Sequence, residues 1–262
     1  MMEPLTSLSN PLVKQARALR QKKMRADTGL FLVEGIHHVG EAAEAGWDIQ
    51  SVLYAPDLLT SDFARDLVSR LDLKRVRTQP VSASVMESLA EKDNPVGILA
   101  LVRQKRIALA DFPATGNTSA VGLVSPQDPG NVGSILRTMD AVGTDALFIL
   151  DGGVDVYHPS VVRASMGTIF WKPVLHAELN EFIDWSHQTG LKLVGTSAHA
   201  MIDYRELSIS GPWVLILGSE QKGLSSVQQS ACDMTVSLPM RGRASSLNLS
   251  VAAGILLYAW LR

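Results

Sequence analysis

Three segments of this chain each run from an apolar, strand-like stretch into a glycine-rich polar loop, and this pattern restricts the fold more than any other feature. The first, Asp128–Gly143 (DPGNVGSILRTMDAVG), follows the apolar run Val121–Ser125. The second is Leu215–Leu224 (LILGSEQKGL), and the third is Leu238–Trp260 (LPMRGRASSLNLSVAAGILLYAW). Loops rich in bare backbone N–H and C=O groups, set at the ends of buried strands, are how an α/β protein builds a nucleotide-sized pocket. Between and around these loops, Val/Ile/Leu runs alternate with helical stretches. The expected strands are 121–125, 146–150, 170–174, 192–197, 213–217 and 234–238, with helices over 132–142, 160–166, 179–189, 226–231 and 247–261. Near-continuous apolar strands separated by helices predict a parallel sheet covered on both faces.

A second, smaller alternation precedes this one. Helical spacing of Leu12, Ala16 and Leu19 predicts a helix over 11–24, followed by a strand at 28–35 and a helix at 36–45. A strand at 49–55, a helix at 61–71, a short strand at 75–78, a helix at 84–90 and a closing strand at 96–102 complete a small α/β domain. The stretch Ala110–Ser119 (ADFPATGNTS) lacks an apolar period and reads as a linker. The expected division is therefore 1–108, linker 109–119, and 120–262.

Composition excludes several classes. With 46% apolar residues in 262, the chain can bury a substantial core and is not disordered. Cys232 is the only cysteine, which rules out an internal disulfide and a thiolate metal cluster. His37, His38 and His158 show no metal-ligand spacing, so no metal is expected. Residues 1–30 lack an uninterrupted apolar run, and Leu247–Leu261 is interrupted by Asn248 and Ser250, so neither a secretory signal nor a membrane span is expected. These features suit a cytoplasmic protein. The net charge of −2 hides a basic stretch, with Lys14, Arg17, Arg20, Lys22, Lys23 and Arg25 and no acidic residue between Asn10 and Ala26. Such a cluster is either a solvated helix face or a phosphate-seeking surface. Arg103, Lys105 and Arg106 form a second group.

Within the first loop, Pro129 and Gly130 force a turn, Asn131 reads as the cap of the next helix, and Arg137 falls about one and a half turns further on. The glycines do not match the dinucleotide fingerprint. Glu220, directly after a buried strand, could orient an arginine, bond a ligand amine, or be a plain turn carboxylate. Ser245 or Ser246 reads as the cap of the last helix. Asn248 then falls just inside an apolar helix, where an amide needs partners, and reads as facing a site.

Together these motifs resemble the SpoU/TrmH family of RNA ribose 2′-O-methyltransferases, within the SPOUT class. Asn131, Gly133 and Arg137 match the first family motif. Leu217, Gly218, Glu220 and Gly223 match the second, and Leu238–Met240 with Ser246–Asn248 the third. Residue 128 is aspartate where many members carry asparagine. Residues 1–108 are similar, more loosely, to a ribosomal-protein-like substrate-binding domain, through SNPLVKQARAL, FLVEG and NPVGILA.

The resemblance implies a trefoil knot in the C-terminal domain, binding of S-adenosyl-L-methionine, a homodimer and an RNA substrate. Ribosomal RNA, and within it the large-subunit species, is favoured over tRNA by the extra domain. It implies cofactor contacts at Leu217, Gly218, Leu238, Met240 and Leu247. It places Arg137, Asn131, Glu220, Ser246 and Asn248 at catalytic or site-shaping positions, with Asn131 and Glu220 orienting Arg137, and Ser246 and Asn248 positioning ribose or cofactor. No His or Cys lies in the three motifs. A guanidinium keeps its proton, so Arg137 is expected to stabilise a developing alkoxide, with a substrate phosphate taking the proton. Arg163, on a short helix after Pro159, resembles another family segment and is a candidate RNA contact or a helix-surface ion pair. The alternatives are a tRNA methyltransferase and a non-catalytic RNA-binding or ribosome-assembly factor that keeps the fold.

Overall fold

Most of the apolar runs become buried strands. The computed structural model describes residues 3–90 and 97–260. It divides into two compact units, Met1–Lys105 with Tyr157–Trp171, and Arg106–Val156 with Lys172–Arg262.

In the first unit, helices α1 (Pro11–Ala18) and α2 (Lys22–Thr28) lead into β1 (Leu30–Glu34), α3 (Ile36–Glu44) and β2 (Ile49–Tyr54). Then come α4 (Asp62–Leu73), β3 (Arg77–Pro80), α5 (Ala83–Leu89) and β4 (Ile98–Arg103). Residue 96, the start of the expected closing strand, lies outside the described residues. The four strands form one sheet in the order β1-β4-β2-β3, with β4 antiparallel to both neighbours and β2 parallel to β3. Leu12, Val13, Ala16 and Leu19 pack with Leu32, Leu53, Met86, Leu89, Leu99 and Leu101 as its core.

One helix was expected over residues 11–24, and the chain instead breaks between α1 and α2. The cause is Arg25, which is 1% exposed and donates from Nη1 to the carbonyls of Leu19 and Arg20, each at 2.8 Å. Its charge satisfies carbonyls at the end of α1 that the helix leaves without partners. Arg25 is therefore a buried structural cation and not an RNA contact. Arg17 donates to Ser88 Oγ at 3.1 Å, and Arg20 donates to the carbonyls of Leu89 and Ala90 at 2.8 and 2.5 Å, tying α1 to the end of α5. Of the six basic residues, Lys14, Lys22 and Lys23 are the exposed ones.

The second unit begins with β5 (Ser119–Val124), α6 (Pro129–Val142) and β6 (Ala146–Leu150). Helix α7 (Pro159–Ala164) follows in the chain but belongs to the first unit. Next come β7 (Val174–Ala177), α8 (Leu179–Thr189), β8 (Lys192–Thr196), a short strand β9 (Ile202–Asp203) and β10 (Trp213–Leu217). The unit closes with α9 (Ser226–Ser230), β11 (Met234–Ser237) and α10 (Leu249–Ala259). Seven strands form a wholly parallel sheet in the order β7-β6-β5-β10-β8-β11-β9. Every residue of β6 and β10 is buried, as strands covered on both faces require. Phe148, Phe182, Leu193, Val214 and Ile216 belong to its core.

Two expectations change here. The strand expected at 170–174 does not form. Thr168–Phe170 is a 3-10 turn, and the Phe170 carbonyl accepts the Trp47 indole N–H at 2.9 Å, which holds this residue in the first unit's aromatic cluster with Phe31 and Tyr157. The strand starts instead at Val174, past Pro173. The stretch read as a linker is also packed: Leu109 is buried, and the Phe112 ring meets Phe148 edge-on at 5.6 Å.

The role of Arg25 is open to a direct check. Arg25→Ala should lower unfolding stability by about 2–3 kcal/mol, because charged hydrogen bonds to buried carbonyls are lost. Lys23→Ala should cost less than about 0.5 kcal/mol. Urea melts of the two variants measure the difference.

Candidate active site

A parallel sheet places all its carboxyl ends along one edge. From β5 the chain moves outward through β6 to β7, then crosses to build the other half from β8, β10 and β11. A ligand crevice is expected where the order reverses, outside the strand ends. The loops after β8, β10 and β11, in the half of the sheet beyond that reversal, line a cleft of 660 Å³, within the usual range for small-molecule sites.

Local chemistry shapes the walls. Gly218 directly follows β10, and a Cβ there would lie 2.0 Å from the carbonyl carbon of Gly223. No side chain fits, because the loop folds back through the Gly223 N–H to Ser219 C=O bond of 2.8 Å. Leu217, Gly218, Leu238, Met240 and Leu247, the five residues expected to contact a cofactor, all line the cleft, as do Glu220, Ser246 and Asn248. Thr196, Ser197 and His199 from the end of β8 line it too, and were not singled out in the sequence. The available signal was positional: these polar residues directly follow a buried strand. His199 thus brings an imidazole to a cleft whose three motifs contain none.

Three motif side chains interlock. Asn131, 7% exposed, donates from Nδ2 to Glu220 Oε1 at 3.1 Å, and its Oδ1 accepts from Asn248 Nδ2 at 2.9 Å. Glu220 also accepts the backbone N–H groups of Gln127 at 2.8 Å and Asp128 at 3.1 Å. Burial raises the Glu220 pKa, but the bonds it accepts, led by that from Asn131, outweigh burial and hold the carboxyl below its ordinary value. This carboxylate is ionised and occupied, hence a clamp rather than a base.

The capping assignments change accordingly. Asp128, not Asn131, caps α6, accepting the Asn131 N–H at 2.8 Å. Asn248, not Ser245 or Ser246, caps α10, its Oδ1 accepting the N–H groups of Ser250 and Val251 at 2.9 and 3.3 Å. Asn131 and Glu220 do not touch Arg137. That guanidinium is exposed on α6, about two turns from the helix start, without an ion pair or hydrogen bond among the described residues. Arg163 is exposed on α7, in the first unit. Cys232 packs beneath Gly195, and burial, aided by Asp233, pushes its thiol to about 11, which removes it as a nucleophile. Among the described residues, no group of His, Cys, Asp and Glu could hold a metal, and no helix is long and apolar enough to cross a membrane.

The chain is similar to known proteins along nearly all of its length. Residues 118–258 match the model of the SpoU rRNA Methylase family, and residues 10–100 that of the MRM3-like substrate binding domain. The chain is 35% identical to the 23S rRNA (uridine(2479)-2′-O)-methyltransferase of Streptomyces viridochromogenes, over 93% of this chain and 85% of that protein. It is 32% identical to the 23S rRNA (guanosine(2553)-2′-O)-methyltransferase RlmP of Bacillus subtilis, over 98% of both. Among solved structures, the AdoMet-bound rRNA methyltransferase of Sinorhizobium meliloti is 33% identical and superposes with a TM-score of 0.90, covering 98% of this chain and 96% of that one.

The clamp has a pH signature. Glu220→Gln sets an amide against backbone N–H donors and should cost about 1–2 kcal/mol of stability at neutral pH. Because the folded-state pKa is depressed, the carboxylate's contribution is complete above the ordinary glutamate value of about 4.3 and is lost as pH falls through the lower folded value. The wild-type advantage in urea melts should therefore be widest at neutral pH and shrink as pH falls below the ordinary glutamate range.

Proposed function

Because the chain belongs to the SpoU rRNA methylase family, we propose that it methylates the 2′-hydroxyl of one ribose in large-subunit ribosomal RNA, with S-adenosyl-L-methionine as donor. The observation that carries this reading is the hydrogen-bond chain from Glu220 through Asn131 to Asn248, which closes the three motif loops beside one cleft. The Streptomyces and Bacillus relatives named above are 23S ribosomal RNA methyltransferases, which favours that substrate over tRNA.

The cleft suits the donor chemically. Leu217, Leu238, Met240 and Leu247 offer apolar walls for a purine, and the bare backbone beside Gly218 offers hydrogen-bonding groups for its edges. Bound there, S-adenosyl-L-methionine supplies an electrophilic methyl group on a sulfonium centre. The chain's own task is to hold the ribose hydroxyl in line, exclude water and stabilise the charge that develops on oxygen. Arg137 is the group for the last task. It makes no hydrogen bond or ion pair among the described residues that would compete with an alkoxide or a neighbouring phosphate. The hydroxyl proton passes to a substrate phosphate, since Glu220 is fully engaged. Ser246, at the cleft wall, positions the ribose, and the basic residues of the first unit that stay exposed bind further phosphates.

We also propose a homodimer in the cytoplasm. Val251, Ile255 and Tyr258 lie one turn apart on α10 and are 49%, 36% and 57% exposed, a stripe that a second copy would cover. Val251→Asp should turn a dimer into a monomer in sedimentation.

The central test is transfer of labelled methyl groups to the ribose 2′-oxygen of large-subunit ribosomal RNA. Wild type should label one position. Arg137→Ala should lose at least about a hundredfold in turnover while its affinity for S-adenosyl-L-methionine stays within about twofold. No transfer by wild type, or an unchanged rate in the variant, contradicts the respective role.

A further inference from the structure

A chain with net charge −2 cannot hold a polyanion through its overall field, so local cations must do so. The most basic stretch of the sequence supplies fewer than it advertises, because Arg17, Arg20 and Arg25 are committed to Ser88 and to backbone carbonyls. Other cations lie on the loops that line the cleft.

Met240 and Ser245 both line the cleft, and the loop between them carries Arg241 and Arg243. Residues 241–248 are all exposed. Lys222, on the loop after β10, lines the same cleft and is exposed as well. None of these three cations makes a hydrogen bond or ion pair among the described residues. Two carboxylates of this region are already engaged. Asp203, whose field reaches Arg241, receives Nε and Nη2 of Arg205 at 2.9 and 2.5 Å, and Glu220 receives three N–H groups. The loops that line the cleft thus carry three positive charges without a bonded counter-ion among the described residues, and the motif interlock holds both loops beside the site.

Stereochemistry says what these charges are for. A ribose 2′-hydroxyl sits on the carbon next to the one bearing the 3′-phosphate, so a cleft that receives the hydroxyl must leave that phosphate at its rim. We propose that Lys222, Arg241 and Arg243 form a phosphate clamp that seats the backbone flanking the target ribose. This rests on the methyl-transfer reading of the cleft and adds residues that position the substrate. Gly242, with open space around it, separates the two arginines and leaves them free to grip adjacent oxygens in the forked geometry guanidinium groups favour.

The test uses the full-length protein with protein-free large-subunit ribosomal RNA. Arg241→Ala/Arg243→Ala should weaken RNA binding about tenfold or more and reduce the slope of log K against log salt by about one for each phosphate no longer held. The loss should appear in the KM for RNA more than in kcat. Arg241→Lys/Arg243→Lys should restore most of the slope, because the charge is kept. Affinity for S-adenosyl-L-methionine, measured by calorimetry without RNA, should stay within about twofold of wild type. An unchanged slope, no RNA binding by wild type, or a loss expressed in donor affinity would overturn the clamp. The last result would assign these cations to the donor's carboxylate. Failure of the methyl-transfer reading is seen separately, as wild type that binds RNA but neither takes up donor nor transfers methyl.

Discussion

The hydrogen bonds linking Glu220, Asn131 and Asn248 are the interaction on which the rest of the second unit depends. They join residues 89 and 117 positions apart in sequence and bring three separate loops to one edge of the sheet. A buried amide such as Asn131 costs free energy unless its donor and acceptor are both satisfied, and here each has a partner from a different loop. Asn131 is the buried middle member, and removing it cuts the link between the other two loops while Glu220 keeps its backbone partners and Asn248 its capping bonds.

That interlock also separates two tasks that the motifs seem to merge. Asn131, Glu220 and Asn248 shape the cleft, and their polar atoms are largely consumed in doing so. Arg137 stands outside the network and is free to meet a substrate. The cleft itself joins apolar side chains and bare backbone with polar groups from the loops after β8, β10 and β11, so shape and hydrogen bonding both set its selectivity. Gly218 shows how tightly: the space a methyl group would need is occupied by the backbone of Gly223.

Much of this was legible in the sequence because buried parallel strands leave a strong mark. ALFIL and WVLIL could hardly be exposed, and their order with the intervening helices implies the sheet. The motif loops were legible for the same reason, as polar interruptions at strand ends. What escaped was set by partners distant in the chain. Arg25 looked like a surface cation because sequence cannot show that carbonyls of the preceding helix close over it. Phe112 looked like part of a linker because Phe148 and Trp185, its packing partners, lie well downstream. Tyr157–Trp171 read as part of the second unit, yet aromatic packing with Phe31 and Trp47 holds it in the first. Asn248 was seen as needing partners, but its service as the cap of α10 became visible only once the helix start was fixed by its own side chain.

Hydrogen–deuterium exchange of the full-length protein with and without S-adenosyl-L-methionine tests the central claim most directly. The account predicts slowed exchange confined to the loops after β8, β10 and β11, at residues 196–199, 217–224 and 238–248, with the start of α6 following through the Asn131 bonds. Protection elsewhere, or none at saturating donor, would contradict it.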